Sequence, residues 1–345
     1  MQLPREVVVG DKTLDLIGDI CKKLDFSGSA LVVTGPCTRR IAGQEAIDLL
    51  EDKGISVECS VVSSSAMKDV ELVKEKIKEF EPEVVIGIGG GTKIDVAKLS
   101  SAQKGIPFMS IPTTASHDGI ASPLVSIKGL NKPYSVMAQS PMAIVLDTSI
   151  IIEAPYRFTA SGCGDIMAKF TAVRDWKLAH SVKNEYYGEY AASLSLMSAK
   201  LVLENAGVIK PESEEGLRVL LEALISCGVA MSIAGSSRPC SGSEHLFSHA
   251  LDLVAPKPAL HGEQCGIGTI MMACLHKMDW KGIKETLQTI GAPTTAEELD
   301  IEPEFIIQAL VRACEIRPER YTILERKRMS YESAKKLAKA TEVID

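Results

Sequence analysis

The stretch VVIGIGGGTKIDVAKLSS, residues 84–101, decides the fold class of the first half of the chain. Its β-branched run at 84–88 predicts a buried strand, and the helical periodicity from Lys93 onward predicts a helix. Three glycines at 89–91 join the two, so that backbone amides can approach a phosphate closely at the helix N-terminus. The stretch therefore predicts one βα unit of a parallel sheet with a pyrophosphate site at its turn.

This turn differs from the two common glycine-rich phosphate motifs. It is not a GxGxxG fingerprint, and no GK[ST] follows it, so three glycines that merely form a tight turn remain an alternative. Asp95 and Lys98 lie in the first turns of the predicted helix. Asp95 can contact a cofactor there, or act only as a structural acid that complements the helix dipole.

Similar strands and helices alternate on both sides of this unit, from Glu6 to about Asp147. We predict further strands at 30–34, 57–62 and 108–111, and helices at 41–51, 70–80 and 93–103. This alternation is typical of repeated βαβ units around a parallel sheet. The short apolar runs at 124–127 and 143–146 predict a meander or hairpin appended to that sheet.

The composition changes after Pro155 to stretches rich in Ala, Leu, Lys and Glu, which predict helix after helix to the C-terminus. Prolines mark the expected helix limits in this half, at Pro211, Pro256, Pro258, Pro293, Pro303 and Pro318. We predict a dinucleotide-binding α/β domain at 1–152 and an all-helical domain that binds metal and substrate at 153–345.

The bulk properties exclude several functional classes. A length of 345 residues suggests about two domains, and the net charge of −7 provides no basic field for nucleic acid. Charged residues near the start interrupt any signal-peptide core, and the uncharged stretch at 223–237 is shorter than the roughly 20 residues that cross a bilayer. Nine cysteines without a CxxC pair argue against a zinc ribbon or a disulfide framework. We expect a cytoplasmic protein without a membrane span.

Three of the six histidines fall in one short span of the helical half. His245 and His249 have i, i+4 spacing, so both imidazoles project from one helix face, and His261 follows in the turn LHGEQ. Neutral imidazole is the commonest protein ligand of divalent transition metals. Asp165 is the best oxygen donor by context, although it could instead cap a helix and pair with Lys169.

The other cysteines and histidines are not assigned to the site. No glutamate lies between His245 and His249 as in the HExxH helix of metalloproteases, which disfavours hydrolysis. Cys163 and Cys265 flank the proposed ligands, but buried thiols commonly act as small hydrophobic residues, and we leave both out of the site. We interpret the remaining histidines as surface or packing residues, namely His117, His180 and His276.

Three motifs occur in a characteristic order: GGGTKIDVAK at 89–98, PTTASHDG at 112–119, and His245 followed by HGE at 261–263. Together they resemble the iron-containing alcohol dehydrogenase and glycerol dehydrogenase superfamily. SHDGIASP at 116–123, residues 156–175 and SRPCSGSEHLFSHALD at 237–252 resemble its archaeal sn-glycerol-1-phosphate dehydrogenase branch. The resemblance covers nearly the whole chain. It implies a Rossmann-like α/β domain followed by an all-α domain, the glycerol dehydrogenase-like fold also found in dehydroquinate synthase.

The resemblance also implies roles for individual residues. Asp165, His245 and His261 match three metal ligands, usually of zinc, and Asp118, Asp165 and His249 match catalytic and substrate-binding positions. Together with the glycine turn, it implies an NAD(H) or NADP(H) site formed by Gly89, Gly90, Gly91, Thr92, Lys93, Ile94, Asp95, Thr113, Thr114, Ala115, Ser116 and Ser122.

The loop after the first cofactor-domain strand departs from the family pattern. Many members have an aspartate there, whereas this chain has Gly35-Pro36, followed by Thr38, Arg39 and Arg40. This loop therefore has no aspartate that would exclude the 2′-phosphate of NADPH. The arginines could bind that phosphate or form a solvated pair at a helix start, and we expect use of both NADH and NADPH.

The activity implied by the resemblance is the reversible NAD(P)H-dependent reduction of dihydroxyacetone phosphate to sn-glycerol 1-phosphate, which provides the backbone of archaeal membrane lipids. A homo-oligomer is also expected. Arg238, Lys257 or Lys169 could contact the substrate phosphate, or each could face solvent. The competing interpretations are a glycerol dehydrogenase acting on unphosphorylated substrates, a dehydroquinate synthase, and a catalytically silent nucleotide-binding module.

Overall fold

The computed structural model describes residues 2–127 and 135–345. The chain forms two compact units, Met1–Pro155 and Tyr156–Asp345. The strands of the first unit, in chain order, are β1 (Glu6–Gly10), β2 (Ser29–Thr34), β3 (Ser56–Val61), β4 (Val84–Gly89), β5 (Phe108–Pro112), β6 (Leu124–Val125), β7 (Val136–Met137) and β8 (Ala143–Asp147). Its helices are α1 (Ile17–Lys23), α2 (Pro36–Thr38), α3 (Gln44–Asp52), α4 (Met67–Phe80), α5 (Gly91–Lys104) and α6 (Thr148–Ile152).

Six of these strands form one parallel sheet in the order β1-β8-β5-β4-β2-β3. The inner strands β2, β4, β5 and β8 are nearly continuous buried runs because helices cover both faces, whereas the edge strand β3 is partly exposed. Val32 packs on one face in a cluster with residues of α1 and α3, whereas its neighbours Leu31 and Val33 pack on the other face with residues of α4 and α5. Successive side chains of a strand point to opposite faces, which accounts for this division. The predicted α/β class is confirmed.

The predicted strands at 30–34, 57–62, 84–88 and 108–111 correspond to β2, β3, β4 and β5. The helix predicted at 41–51 begins instead at Gln44, after a π-helical turn over Arg39–Gly43. The predicted meander or hairpin, appended to the sheet with runs at 124–127 and 143–146, is wrong in its pairing. Leu124–Val125 pairs with β7 in a separate antiparallel pair, and β8 lies inside the parallel sheet between β1 and β5. Part of the connection between β6 and β7 falls outside the described residues.

The regular elements of the second unit, in the part of the chain that the structure describes, are all helices. Its helices are α7 (Arg157–Met167), α8 (Lys169–Lys183), α9 (Glu189–Glu204), α10 (Glu214–Ala234), α11 (Ser243–Val254), α12 (His261–Leu275), α13 (Trp280–Ile290), α14 (Pro303–Ile316), α15 (Ile323–Lys327) and α16 (Tyr331–Ala340). Pro303 is the first residue of α14, and the other prolines that were predicted to limit helices lie in the connections between helices. The all-helical character of this half is confirmed.

Helix α10 is long and strongly apolar. Within the described ranges, it is the one helix long and apolar enough to cross a membrane, and 56% of its most apolar window is buried in the protein. A buried core helix passes the same test, so this observation is weak evidence for a membrane span. Ser213 caps the start of α10, where its hydroxyl accepts a hydrogen bond from the backbone amide of Gly216.

Candidate cofactor turn and metal centre

The glycine turn at 89–91 lies at the carboxyl edge of the parallel sheet. β4 ends at Gly89, and α5 begins two residues later at Gly91. β5 is the neighbour of β4, and the backbone amide of Thr113 donates to the carbonyl of Gly89 at 3.1 Å. The structure therefore brings together the two loops predicted to bind the cofactor, 89–95 and 113–116.

The same edge contains the point at which the strand order reverses. β2 pairs with β3 on one side and with β4 on the other, and open α/β sheets bind ligands at such a reversal. The loop that starts at Gly35 follows β2 and adjoins the glycine turn, because a Cβ at Gly35 would lie 2.5 Å from Cε of Lys93. Arg39 and Arg40 are exposed on this loop, and Arg39 donates to Oε1 of Gln44 at 3.0 Å.

His117 lies closer to the glycine turn than its interpretation as a packing residue suggested. A Cβ on Gly91 would lie 2.1 Å from Nε2 of His117, so only glycine leaves room for the ring. Nδ1 of His117 accepts a hydrogen bond from the amide of Gly119 at 3.0 Å. A neutral ring therefore carries its proton on Nε2, the atom next to Gly91.

A buried lysine anchors the loop that carries Asp118 and Ser122. The ammonium group of Lys98 donates to the carbonyl oxygens of Gly119 and Ser122, each at 2.7 Å, and of Leu124 at 2.9 Å. Burial lowers the pKa of Lys98 to about 8, and its nearest carboxylate oxygen, on Asp95, is 4.0 Å away. Lys98 is thus a positioning residue for this loop, a role that its place on the predicted helix did not reveal.

We expect Lys98→Met to lower the free energy of unfolding by about 2–5 kcal/mol, because three buried carbonyls would lose their donor. The loop with Ser122 should also become mobile, so binding of NAD(H) should weaken. Chemical denaturation and cofactor titration measure the two effects. Lys104→Met removes an exposed lysine from the same helix and should change neither quantity. Unaltered stability of the Lys98 variant would contradict the anchoring role.

The predicted metal ligands come together in the second unit. Asp165, His245 and His261 each offer a ligand atom, and these atoms lie within 4.8 Å of one another and of Sγ of Cys265. The three predicted ligands come from three different helices, α7, α11 and α12. A carboxylate with two imidazoles suits a divalent first-row metal such as zinc or iron, so the donor set fits the metal that the family name implies.

Close contact between α7 and α12 explains how Asp165 and His261 meet. A Cβ on Gly262 would lie 1.9 Å from the carbonyl oxygen of Ser161, and a Cβ on Gly164 would lie 2.3 Å from that of Gly262. Glycines at the crossing let the two backbones touch, so the neighbouring residues Asp165 and His261 face one another.

Glu244 orients the imidazole of His245. Oε1 of Glu244 lies 2.9 Å from Nδ1 of His245, and its other oxygen accepts from Thr171 at 2.7 Å. Burial raises the pKa of Glu244, but several smaller effects, led by the hydrogen bonds from His245 and Thr171, together outweigh burial, so the net pKa is lowered and the group stays ionised. The ionised carboxylate holds the proton of His245 on Nδ1, which leaves the lone pair of Nε2 for a metal.

The other predicted groups lie close to this centre. Nζ of Lys169 is 2.7 Å from Oδ1 of Asp165 in a fully buried ion pair. Burial raises the pKa of Asp165, but the charge of Lys169 and the hydrogen bond from His245 together outweigh burial and hold that pKa well below its usual range. The ring centroid of His249 is 5.6 Å from that of His261. Burial lowers the pKa of His249, so this imidazole is neutral at pH 7.

The sequence analysis left Cys265 out of the site and did not identify Glu244. Cys265 lies one helical turn after His261, and its sulfur is 3.6 Å from Nε2 of that ring. The i, i+4 spacing was visible in the sequence, whereas the position of Glu244 beside Thr171 was not. Burial raises the pKa of Cys265, so its thiol is neutral at pH 7 in the absence of a metal.

The three cations considered for the substrate phosphate have carboxylate partners. Lys169 pairs with Asp165, and Lys257 is a largely exposed side chain 3.7 Å from Asp300. Arg238 is buried, and Nε and a terminal nitrogen of its guanidinium donate hydrogen bonds to the two carboxylate oxygens of Glu185.

Comparison with known proteins first places the chain in a broad class. Residues 8–155 match the family described as iron-containing alcohol dehydrogenase. The crystal structure of glycerol dehydrogenase from Schizosaccharomyces pombe superposes with a TM-score of 0.81 at 20% identity, covering 98% of this chain and 89% of that one. The predicted glycerol dehydrogenase-like fold is confirmed.

Sequence relatives narrow the class to one family. The glycerol-1-phosphate dehydrogenase [NAD(P)+] of Pyrococcus furiosus is 54% identical over 344 residues, which cover 100% of this chain and 99% of that protein. The protein of the same name from Methanosarcina mazei is 53% identical over 345 residues, covering 100% and 97%. The chain belongs to the glycerol-1-phosphate dehydrogenase family.

Proposed function

We propose that this chain catalyses the reversible NAD(P)H-dependent reduction of dihydroxyacetone phosphate to sn-glycerol 1-phosphate, the backbone of archaeal membrane lipids. The observation that carries the proposal is identity of 53–54% over the full length with proteins that bear that name. The cluster of Asp165, His245 and His261 supports it independently, since it gives the second unit a ligand set for a metal.

In this proposal the residues of the first domain, 1–152, bind the nicotinamide cofactor. The amides at the start of α5 and the hydroxyls of Thr113, Thr114 and Ser116 would hold its phosphates and ribose. Arg39 and Arg40 would accept a 2′-phosphate, and the bracketed NAD(P)+ in the relatives' names supports use of both cofactors.

The residues of the second domain, 153–345, would hold the metal and the substrate. We propose zinc, with Asp165, His245 and His261 as its ligands, because all three side chains are compatible with a tetrahedral site that keeps one position open. Such a metal would act as a Lewis acid that polarises the ketone of the substrate. Glu244 would keep His245 oriented, and Lys169 would keep Asp165 ionised.

The remaining proposed catalytic groups act on the substrate and on its proton. Reduction adds a hydride to the carbonyl carbon and a proton to the oxygen. The neutral imidazole of His249 can donate a hydrogen bond to the substrate and relay that proton. Asp118 would fix a substrate hydroxyl through its carboxylate, beside the cofactor residues on the same loop. We further propose that the enzyme is a cytoplasmic homo-oligomer.

We expect kcat/KM to be at least ~100-fold higher for dihydroxyacetone phosphate than for dihydroxyacetone, because binding energy from the phosphate positions the ketone. We also expect the sn-1 enantiomer as the product, on the strength of the family resemblance. Steady-state kinetics on both ketones and chiral analysis of the product measure the two halves.

Each half of this test can fail by itself. Equal use of both ketones would favour a glycerol dehydrogenase and would overturn the proposed substrate. An sn-3 product would leave the metal chemistry intact but would remove the assignment to archaeal lipid synthesis.

A further inference from the structure

A sulfur atom lies among the three proposed metal ligands. Cys265 follows His261 by one turn of α12, so both side chains project from the same face of that helix. Its Sγ atom lies within 4.8 Å of the ligand atoms of Asp165, His245 and His261. Cys163 is equally buried and lies two residues before Asp165, but in the described part of the chain it does not belong to this group. Burial alone therefore does not explain where the sulfur of Cys265 lies.

Both imidazoles of the cluster can keep Nε2 free of a proton. Nδ1 of His245 lies 2.9 Å from Oε1 of Glu244, and Nδ1 of His261 lies 3.2 Å from the hydroxyl of Ser248. Each of these oxygens can accept the proton of Nδ1, which leaves the lone pair on Nε2. Sγ of Cys265 is 3.6 Å from Nε2 of His261 and 4.0 Å from its Nδ1. The sulfur is thus nearer to the nitrogen that can bind a metal.

The distances between these donors match the edges of one tetrahedral zinc site. Zinc bonds of about 2.0–2.2 Å to nitrogen or oxygen and about 2.3 Å to sulfur, at tetrahedral angles, separate nitrogen from oxygen by about 3.3–3.5 Å and nitrogen from sulfur by about 3.5–3.6 Å. Nε2 of His245 lies 3.4 Å from Oδ1 of Asp165, and Nε2 of His261 lies 3.6 Å from Sγ of Cys265. Both edges therefore have the length that one shared ion requires.

The charges around the centre also favour a second anionic donor. Asp165 and Cys265 are fully buried, and Nζ of Lys169 lies 2.7 Å from Oδ1 of Asp165. Because Lys169 already balances the charge of this carboxylate, a divalent ion in the buried centre gains from a further anion. A coordinating thiol gives up its proton and supplies that charge. Soft thiolate ligands also select zinc over magnesium or manganese.

We propose that Cys265 is a fourth protein ligand of the metal, which it binds in the enzyme without substrate at the position that the other three ligands leave open. The inference rests on the proposed function and deepens it, because it takes the three other ligands from there and adds the group that selects the metal. The substrate oxygen then has to replace the sulfur or enter as a fifth ligand. Until substrate binds, the sulfur keeps water from that position.

X-ray absorption by the zinc-loaded, full-length protein without substrate tests the ligand directly. We expect one sulfur neighbour of zinc at about 2.3 Å, in addition to nitrogen and oxygen neighbours. Protein loaded with cobalt(II) instead should show the near-ultraviolet charge-transfer band of a cobalt–thiolate bond. Cys265→Ala should lose both signals. Its zinc affinity should fall at least ~10-fold, because even residues that only hold a ligand in place contribute about 10–100-fold.

Cys274→Ser is the matched control, because it removes another thiol from the same helix, α12, at a position outside the ligand group of the described residues. It should keep the sulfur neighbour, the cobalt band and the zinc affinity. The spectra of the unaltered protein decide the question if the alanine variant does not fold.

Three results would overturn the inference. Zinc bound by nitrogen and oxygen donors alone would exclude the fourth ligand and leave the proposed function standing. A sulfur neighbour that persists in Cys265→Ala would assign the signal to another cysteine. Protein that binds neither zinc nor cobalt would overturn the proposed metal chemistry and the fourth ligand with it.

Discussion

His261→Ala should remove the bound metal and lower kcat/KM for dihydroxyacetone phosphate at least ~1,000-fold, because the polarised ketone is worth several kcal/mol in the transition state. One of three proposed ligands would be lost, whereas His245 and Lys169 would still contact the carboxylate of Asp165. Affinity for NAD(H) should stay within about twofold, since the proposed cofactor residues all belong to the first unit. Metal analysis of the purified protein and fluorescence titration with NADH measure the two quantities.

The control is His180→Ala, which removes an exposed histidine from α8 in the same unit and should leave metal content and activity unchanged. Two results would contradict the interpretation. Full activity in an His261 variant that is verified to be free of metal would exclude the Lewis-acid role. A collapse of NADH affinity with an unaltered fold would show that the cofactor and metal residues had been separated wrongly.

The fold was predictable from the sequence wherever local pattern determines structure. β2 and β4 are apolar runs bounded by turn residues, and their β-branched side chains favour a buried strand whichever neighbour they pair with. β8 was recognised as a strand, but it was placed in an appended meander or hairpin and not inside the parallel sheet. Its partners β1 and β5 lie far from it in the chain. Parallel strands are not joined by a short turn, so no turn residues in the sequence indicate which strands pair.

In the candidate site, too, contacts set by local spacing were predictable and contacts set by packing were not. His245 and His249 were predicted to share a helix face, and both rings now lie within 6 Å of the ring of His261, at 5.1 and 5.6 Å between centroids. Arg320, which donates to the loop that leads into α11, could not be found in this way. Arg320 lies in the turn after α14 and contacts Ser237, which precedes α11. Four helices separate the two residues in the chain, and no sequence spacing predicts a contact of that kind. Contacts of that kind arise only from packing.

Gly262→Ala should both destabilise the second unit and damage its metal site. Its new Cβ would lie 1.9 Å from the carbonyl oxygen of Ser161, a backbone atom that cannot rotate away. The helices α7 and α12 must then separate, at a cost of about 3 kcal/mol, typical of overpacking in a core. Since His261 is the adjacent residue and Asp165 lies on α7, the separation displaces two proposed ligands from each other. A displacement near 1 Å lowers activity about 100-fold.

Gly266→Ala supplies a control with the opposite expected sign. It lies one helical turn further along α12 and also faces Gly164, but its new Cβ would be 3.4 Å from the nearest atom, an ordinary contact. Alanine is favoured over glycine within a helix by up to about 1 kcal/mol, so this variant should be as stable as the parent or more so. Chemical denaturation and metal affinity are measured on both variants. The comparison distinguishes a steric clash that forces the two helices apart from a general intolerance of substitution in α12. If Gly262→Ala and Gly266→Ala behaved alike, contact between the backbones of α7 and α12 would not be what brings Asp165 and His261 together.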